Sequence, residues 1–577
     1  MVANERIGET KGDILLHDGT YGKDPRPRSF SESENVEPTI LPFSQLTESP
    51  ESSHWYDIPA KIVLVLFSAM AFVFLLCSTP VIILFDILQR IRRSQLTYRK
   101  HPSNVRVAMI GGGWSGLQCM SRLQELGVNH VKGFERYDSW GGTWHPNLRY
   151  HTIQIHGPMW ITSFKDFPYS RNQDINDGKI LGEEAQNYVH RFGIEKKLGT
   201  SYTFNSRVIK IKYSTDTRTA MLVVENCQGQ QRTEGPFDFV IYAAQASEPN
   251  IPNIPDRKKF EGEVYHSLDF KKEQYDNIVK KNAKVVVVGG SKAGCDLVLC
   301  LERGGHKNYH WLYRKPYLFW KYEIMFHNRS FLNMLRGFTT ILGLLMSLVS
   351  AYLTGLIFWA SGLATTYSQA HNDWNKFHFG ILCPRQRRDL AKIPQGQIIR
   401  GNPTKFTTGG LQLADGADIP ADIVLFATGC ESGIDKIHLE KDGVTYHLDP
   451  TTKMLDHFIF PGFPVLANST ALWTTFGPVR AVNSAEMAVY HLCVRQNMTE
   501  EEMNHSTLWQ LGGSTDSISG MLFQSKDNIM KTFVTMHLDL LIRGYVNISD
   551  FLWHCIELFC LSTQSPLKMT MLPDIQS

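Results

Sequence analysis

The feature that most narrows what this chain can fold into is a glycine turn that occurs twice, each time between a short apolar strand and a helix. The first follows Val105–Ile110, apolar except for Arg106, and reads Gly111-Gly112-Gly113-Trp114-Ser115-Gly116. Leu117, Met120, Leu123 and Leu126 then recur at helical spacing, and Gly127 suits the end of that helix. A second strand, Val131 to Phe134, ends at Glu135. In such a G-x-G-x-x-G turn the first glycine makes the tight bend. The second lets backbone approach a pyrophosphate, and the third lets helix and strand pack closely. The helix N-terminus adds free N–H groups and the positive end of a dipole. An acid about 20 residues on, at the end of the next strand, accepts hydrogen bonds from ribose hydroxyls. Gly111, Gly113, Trp114, Ser115, Gly116 and Glu135 are therefore candidate dinucleotide-binding residues.

The second occurrence follows the β-branched run Val285–Val288 and reads Gly289-Gly290-Ser291-Lys292-Ala293-Gly294. Ser291 stands where the middle glycine would be, and is small enough to permit close approach. A helix through Leu297 and Leu301 leads to a strand, His310 to Tyr313, but this one ends in Arg314-Lys315 instead of an acid. A cation there suits the 2′-phosphate of NADP, whereas an acid selects NAD. A solvated basic loop is the plainer alternative. Gly289, Ser291, Lys292, Ala293, Gly294, Arg314 and Lys315 form the second candidate set. Thr428 and Gly429, in Ala427-Thr428-Gly429 at the end of a strand Ile423–Phe426, resemble the junction at which such chains pass back to the first domain. The fold class expected is α/β, with two Rossmann-like dinucleotide-binding domains.

At 577 residues the chain has room for both. Its net charge of +3 gives no sign of a nucleic-acid binder. Ten scattered cysteines without a C-x-x-C pair argue against a zinc site or disulfide framework, and no metal is expected. Ile62 to Phe85 contains no charged residue and is long enough to cross a bilayer, so an N-terminal transmembrane helix is expected. Pro80 leaves a monotopic insertion open. Arg90, Arg92, Arg93, Arg99 and Lys100 follow the run, which by the positive-inside rule places the remainder in the cytosol. The endoplasmic reticulum is the membrane expected. Five glycosylation acceptor patterns, at Asn328, Asn468, Asn497, Asn504 and Asn547, point the other way.

The domain boundaries expected are a polar tail over 1–58, the anchor and basic segment over 59–100, and the first nucleotide domain over 101–270. The second nucleotide domain runs over 271–425, the return part of the first over 426–495, and a helical C-terminal region over 496–577. A second uncharged run, 338–364, falls inside the second nucleotide domain. It reads as a hairpin or amphipathic insertion on the membrane surface, or equally as a buried helix pair.

These pieces together resemble the class B flavin-containing monooxygenases. The run Glu135 to Trp144 (ERYDSWGGTW) is similar to the family's E-x5-G-G-x-W, and the resemblance sets Gly141, Gly142, Thr143 and Trp144 along FAD. Phe260, Gly262, His266 and Phe270 fit the identifying F-x-G-x-x-x-H-x-x-x-[YF] pattern, which in the family lies between the nucleotide domains and couples them. Phe270, where Baeyer–Villiger relatives carry Trp, leans toward the branch that oxygenates heteroatoms. The resemblance implies FAD and NADPH as cofactors and O2 as co-substrate. It also implies transfer of one oxygen, through a flavin C4a-hydroperoxide, to a small nitrogen or sulfur nucleophile, and the apolar segments suggest that this substrate is lipophilic. His156 stands where many members have an Asn that contacts flavin and nicotinamide, which makes it the candidate catalytic residue. Ala243-Ala244-Gln245 replaces the usual A-T-G. Two alternatives stay open: Baeyer–Villiger oxygenation of a ketone, and a membrane-bound flavoprotein scaffold without turnover. The C-terminal region is expected to cap the substrate entrance. Oligomeric state is not addressed by any motif.

Overall fold

The computed structural model of the chain describes Leu66, Leu84 and residues 99–155, 163–165, 167, 182–244, 248–314, 317–320, 364–366, 378–381, 384–431, 433–449, 452–456, 458–469, 477–495, 500–505, 508–510, 529–543, 546, 548 and 551. Both apolar runs, 62–85 and 338–364, lie outside these residues except for Leu66 and Leu84, which are helical and exposed. Among the described residues no helix is long and apolar enough to cross a membrane.

Two strand–turn–helix–strand units organise the rest. The first is β1 (Arg106–Ile110), α1 (Trp114–Glu125) and β2 (His130–Phe134), later joined by β3 (Phe239–Tyr242). The second comprises β4 (Glu263–His266), β5 (Val285–Val288), α2 (Lys292–Arg303), β6 (Tyr309–Tyr313), β7 (Ile398–Arg400) and β8 (Ile423–Phe426). The chain then returns through β9 (Phe463–Asn468) and α3 (Gly477–Val489), and α4 (Ile529–Arg543) follows.

At the centre of the first sheet lie β9, β3, β1 and β2, all parallel. Ile110, Phe134, Tyr242 and Asn468 share one register level, so the carboxyl ends of these strands form a common rim. The second sheet runs β7-β6-β5-β8-β4, again parallel throughout. Its three central strands, β6, β5 and β8, are runs of mostly buried Val, Ile, Leu and aromatic residues, as expected for a sheet covered on both faces.

Alternation along β1 divides the first core. Val107 and Met109 face α1 and α3 in a cluster with Leu117, Met120, Leu123, Ala481 and Ala485. Ala108 and Ile110 face the antiparallel ribbon 206–237, through Val208, Leu222 and Val224. Burying each such Leu or Val contributes about 1.5–3 kcal/mol. The helix 529–543 joins the α1 side of this core through Met536 and Leu540. Nothing of a substrate entrance is defined by that contact.

Two finer features differ from the linear reading. The strand Glu263–His266, inside the segment assigned to the first domain, is the edge strand of the second sheet beside β8. Asn468, one of the acceptor patterns, is buried on β9 at 1% exposure, so it is closed to glycosylation in the folded protein.

Candidate functional site

Each sheet ends in the same turn. Gly111 has φ +109°, in the region that disfavours any Cβ, and its N–H donates to the Phe134 carbonyl at 2.9 Å. Gly289 has φ +136° and donates to the Leu312 carbonyl at 2.8 Å. A Cβ on Gly116 would lie 2.0 Å from the Gly111 carbonyl oxygen, and a Cβ on Gly294 would lie 2.0 Å from that of Gly289. An aromatic donor satisfies each of these carbonyls: Tyr202 Oη at 3.1 Å for Gly111 and Trp311 Nε1 at 2.8 Å for Gly289.

The middle position explains why serine is tolerated. Gly113, at the N-terminus of α1, has φ −84° and ψ −172°; Ser291, at that of α2, has φ −84° and ψ −173°. This is extended backbone open to any residue. Neither residue caps its helix through a side chain. The first-turn N–H groups of both helices are thus left to an external acceptor, which a pyrophosphate supplies.

Glu135 closes the first site. Its Oε2 accepts from the Gly112 N–H at 2.5 Å and its Oε1 from the Tyr137 N–H at 3.0 Å. Burial raises the carboxyl pKa, against the pull of these N–H donors and of Arg136. Each oxygen keeps a further lone pair for a ribose hydroxyl. The loop Gly142–Trp144 lies against the turn: Gly141 N–H reaches the Gly112 carbonyl at 3.1 Å, and a Cβ on Gly142 would meet Gly113 Cα at 2.8 Å. Thr143 is exposed on that loop, while Trp144 and Phe164 pack about the Trp114 ring. The polar cradle and its close backbone approaches fit FAD.

At the second site Arg314 is exposed at the end of β6, clear of the sheet core. Arg400, at the end of the neighbouring strand β7, donates to the Arg314 carbonyl at 3.4 Å, which puts a second guanidinium on the same rim. Ala293 packs on the sheet. Lys292 behaves otherwise than a phosphate-facing cation. Its ammonium pairs with Asp296, which also takes the Tyr150 hydroxyl at 2.6 Å and the Gln386 amide at 2.6 Å. An i,i+4 acid one turn along the helix has captured the charge, a competition that the motif alone does not reveal. His156 and Lys315 lie outside the described residues.

The stretch from Phe260 to Phe270 joins the two units physically. Its first half belongs to the second sheet: a Cβ on Gly262 would lie 2.2 Å from the Asp422 carbonyl oxygen, and Phe260 packs on Phe406. His266 Nδ1 accepts from the Leu268 N–H, so its proton sits on Nε2 and donates to the Gly429 carbonyl at 2.9 Å. Beyond it, Phe270 accepts from the His151 N–H at 2.7 Å. Lys271 donates to the carbonyls of Pro146, Asn147 and Arg149, just past the Gly142–Trp144 loop. Thr428 and Gly429 tie into the other crossover: Thr428 Oγ1 donates to the Asn250 carbonyl at 2.5 Å, and residues 430–431 pair with 248–249.

Three contributors were not legible in the motifs. Tyr202 and Arg480 lie far along the chain from the first turn, and Trp311 reads only as a strand residue. Arg480, near the start of α3, reaches Ser115 Oγ at 3.5 Å, and burial pushes its pKa down to about 10. It is a cation held beside the first phosphate-binding helix.

Two sheets, one with a parallel centre and one parallel throughout, each with a glycine turn and an open helix N-terminus at its carboxyl rim, define a two-dinucleotide flavoprotein. Residues 104–312 match the family described as flavin-binding monooxygenase-like. The chain is 26% identical over 383 residues to "Probable flavin-containing monooxygenase 1" of Arabidopsis thaliana, covering 56% of this chain and 69% of that protein. It is 26% identical over 352 residues to flavin-containing monooxygenase 5 of Rattus norvegicus, covering 56% and 61%. The solved S-allyl-L-cysteine S-oxygenase from Allium sativum aligns at 17% identity over 69% of this chain and 79% of that one, with a TM-score of 0.44. Over residues 104–312 the chain is thus similar to the flavin-binding monooxygenase-like proteins.

Proposed function

We propose that the chain is an NADPH- and O2-dependent flavin monooxygenase that places one oxygen atom on a small lipophilic nitrogen or sulfur nucleophile. The observation that carries this reading is the pair of matching turns with opposite charge beside them, buried Glu135 at one and exposed Arg314 at the other. An acid serves an unphosphorylated ribose, and a guanidinium serves a 2′-phosphate. FAD, when bound, supplies the redox and oxygen chemistry.

The chain's own residues do the binding and orienting. The open N-termini of α1 and α2 hold pyrophosphates, and Glu135 anchors the ribose next to the first. The Gly142–Trp144 loop, packed against the turn, would lie beside that cofactor and shield it from water, while Lys271 ties the second unit to the first through the Pro146, Asn147 and Arg149 carbonyls. His156, on sequence grounds, is the residue assigned to contact the reacting groups. The uncharged run 62–85 and the basic residues after it support attachment to a membrane with the catalytic part in the cytosol. The endoplasmic reticulum is the membrane we assign.

Anaerobic titration of the purified full chain tests the cofactor assignment. NADPH should bleach the yellow protein. Arg314→Ala should weaken NADPH by roughly ten- to a hundredfold, as expected for a lost charge-assisted contact, and leave NADH unaffected. Equal loss for both nucleotides contradicts the role of Arg314.

A further inference from the structure

The second glycine turn carries a cation whose charge is already engaged. Lys292 is the first residue of α2, beside the N–H groups left open to a pyrophosphate, yet its ammonium pairs with Asp296 one turn along the helix. The Asp296 side chain is 1% exposed and that of Lys292 19%, so the carboxylate is closed off while the lysine stays partly open. Asp296 Oδ2 also accepts from the Tyr150 hydroxyl at 2.6 Å, and its Oδ1 accepts from Gln386 Nε2 at 2.6 Å. Burial first, then the Asp296 charge, raises the Tyr150 pKa well above its ordinary value, so that hydroxyl stays a donor. Tyr150 gives Lys292 a second hold, its oxygen 3.4 Å and its ring centre 5.8 Å from the ammonium.

Helix stability does not by itself explain this pair. Along a helix the acid is better placed N-terminal to the base, and a cation in the first turn opposes the dipole. Long side chains on a helix lean toward its N-terminus, so without Asp296 the Lys292 ammonium is free to turn to the end of α2 that takes the pyrophosphate. With Asp296 in place, a lysine that turns away strands a carboxylate in the protein interior, which is costly.

We propose that Asp296 sets the affinity of the second site for a dinucleotide pyrophosphate by holding Lys292 back from it. Asp296 is then a positioning residue, acting through Lys292 and not on the cofactor. The inference rests on the reading of α2 as the NADPH site. A cofactor held by backbone N–H groups and the exposed Arg314, with the lysine withheld, is bound less tightly than the turn allows and leaves more readily.

Titration calorimetry of the purified full chain with its flavin bound compares NADP+, which carries the pyrophosphate, with adenosine 2′-monophosphate, which lacks it. Asp296→Asn should tighten NADP+ roughly tenfold, the size of a gained charge-assisted contact, and leave adenosine 2′-monophosphate unchanged. Gln386 Oε1 makes no hydrogen bond in the fold, so a flipped Gln386 amide can accept from the introduced amide, and an unchanged flavin absorbance confirms that the variant folds. Adding Lys292→Met to Asp296→Asn should return NADP+ to its native affinity. A double variant that keeps the gain overturns the proposal, because the Asp296 charge then acts on the phosphates directly. One that binds more weakly than the native chain also overturns it, because Lys292 then already serves the pyrophosphate. So does Asp296→Asn with no gain, or with a gain shared by adenosine 2′-monophosphate. If the native chain binds no NADP+, the NADPH reading of α2 itself fails and takes this inference with it.

Discussion

Gly116 and Gly294 do the same job in two places, which makes them the sharpest residue-level probes of the two cofactors. In either glycine an added Cβ meets a backbone carbonyl at 2.0 Å, with no flexible side chain to yield. Overpacking of this kind costs about 1–3 kcal/mol. Gly116→Ala should purify with less flavin per chain, read from the visible-to-ultraviolet absorbance ratio. Gly294→Ala should keep its flavin and lose roughly tenfold in NADPH affinity. If both variants lose flavin equally, the sites are wrongly assigned. The glycines, Glu135 and Arg314 were legible because each follows from local chain geometry at a strand end. The pairing of Lys292 with Asp296 was not, because two neighbouring readings of one lysine, phosphate partner and helix-surface ion pair, look alike in a sequence.

At the scale of elements, α1, α3 and α4 meet at a buried ion pair. Arg122 on α1 donates to Glu486 on α3 at 2.8 and 3.1 Å, and the imidazole of His537 on α4 lies 3.6 Å from the other Glu486 oxygen. Glu486 is fully buried. Glu486→Ala leaves the buried Arg122 guanidinium with only the partly exposed Glu125 carboxylate, 3.1 Å from its Nη1, and should destabilise the fold by roughly 1.5–3 kcal/mol in urea unfolding. A loss under about 1 kcal/mol would mean that α3 shifts to let water reach Arg122.

The crossover held by His266 gives a second element-scale prediction, with a sign. Burial lowers the His266 pKa, against the Gly429 carbonyl and Asp269, so the folded state holds its proton less well than the unfolded chain. The group's contribution is therefore fully present above about pH 6.5, its ordinary value, and is lost as pH falls through the lower folded pKa. Thermal melts of the native chain and His266→Gln between about pH 5 and 8 should converge on the acid side. A constant gap across that range would show that the imidazole does not titrate in the fold.

For the whole molecule, both parallel units were readable from short-range patterns: apolar runs, glycine turns and helical spacing place β1, α1, β2, β5, α2 and β6 within a residue or so. What joins them was not. The antiparallel ribbon 206–237 draws a strand from 438–441, and β9 completes the first sheet more than two hundred residues after β3. Such pairings depend on which edges remain open once the local units have formed, and no local spacing encodes that. The edge strand Glu263–His266 shows the same limit: its residues mark a family motif, yet only the sheet partner Ile423–Phe426 says to which unit it belongs.

The central claim is oxygen transfer driven by NADPH. Its most direct test is to supply the purified full chain with NADPH, isotopically heavy O2 and a simple thioether such as methyl p-tolyl sulfide. The account predicts sulfoxide carrying the heavy atom, with one NADPH consumed per sulfoxide formed. Flavin that bleaches and recovers with hydrogen peroxide as the only product, or bound flavin that NADPH never bleaches, would contradict it.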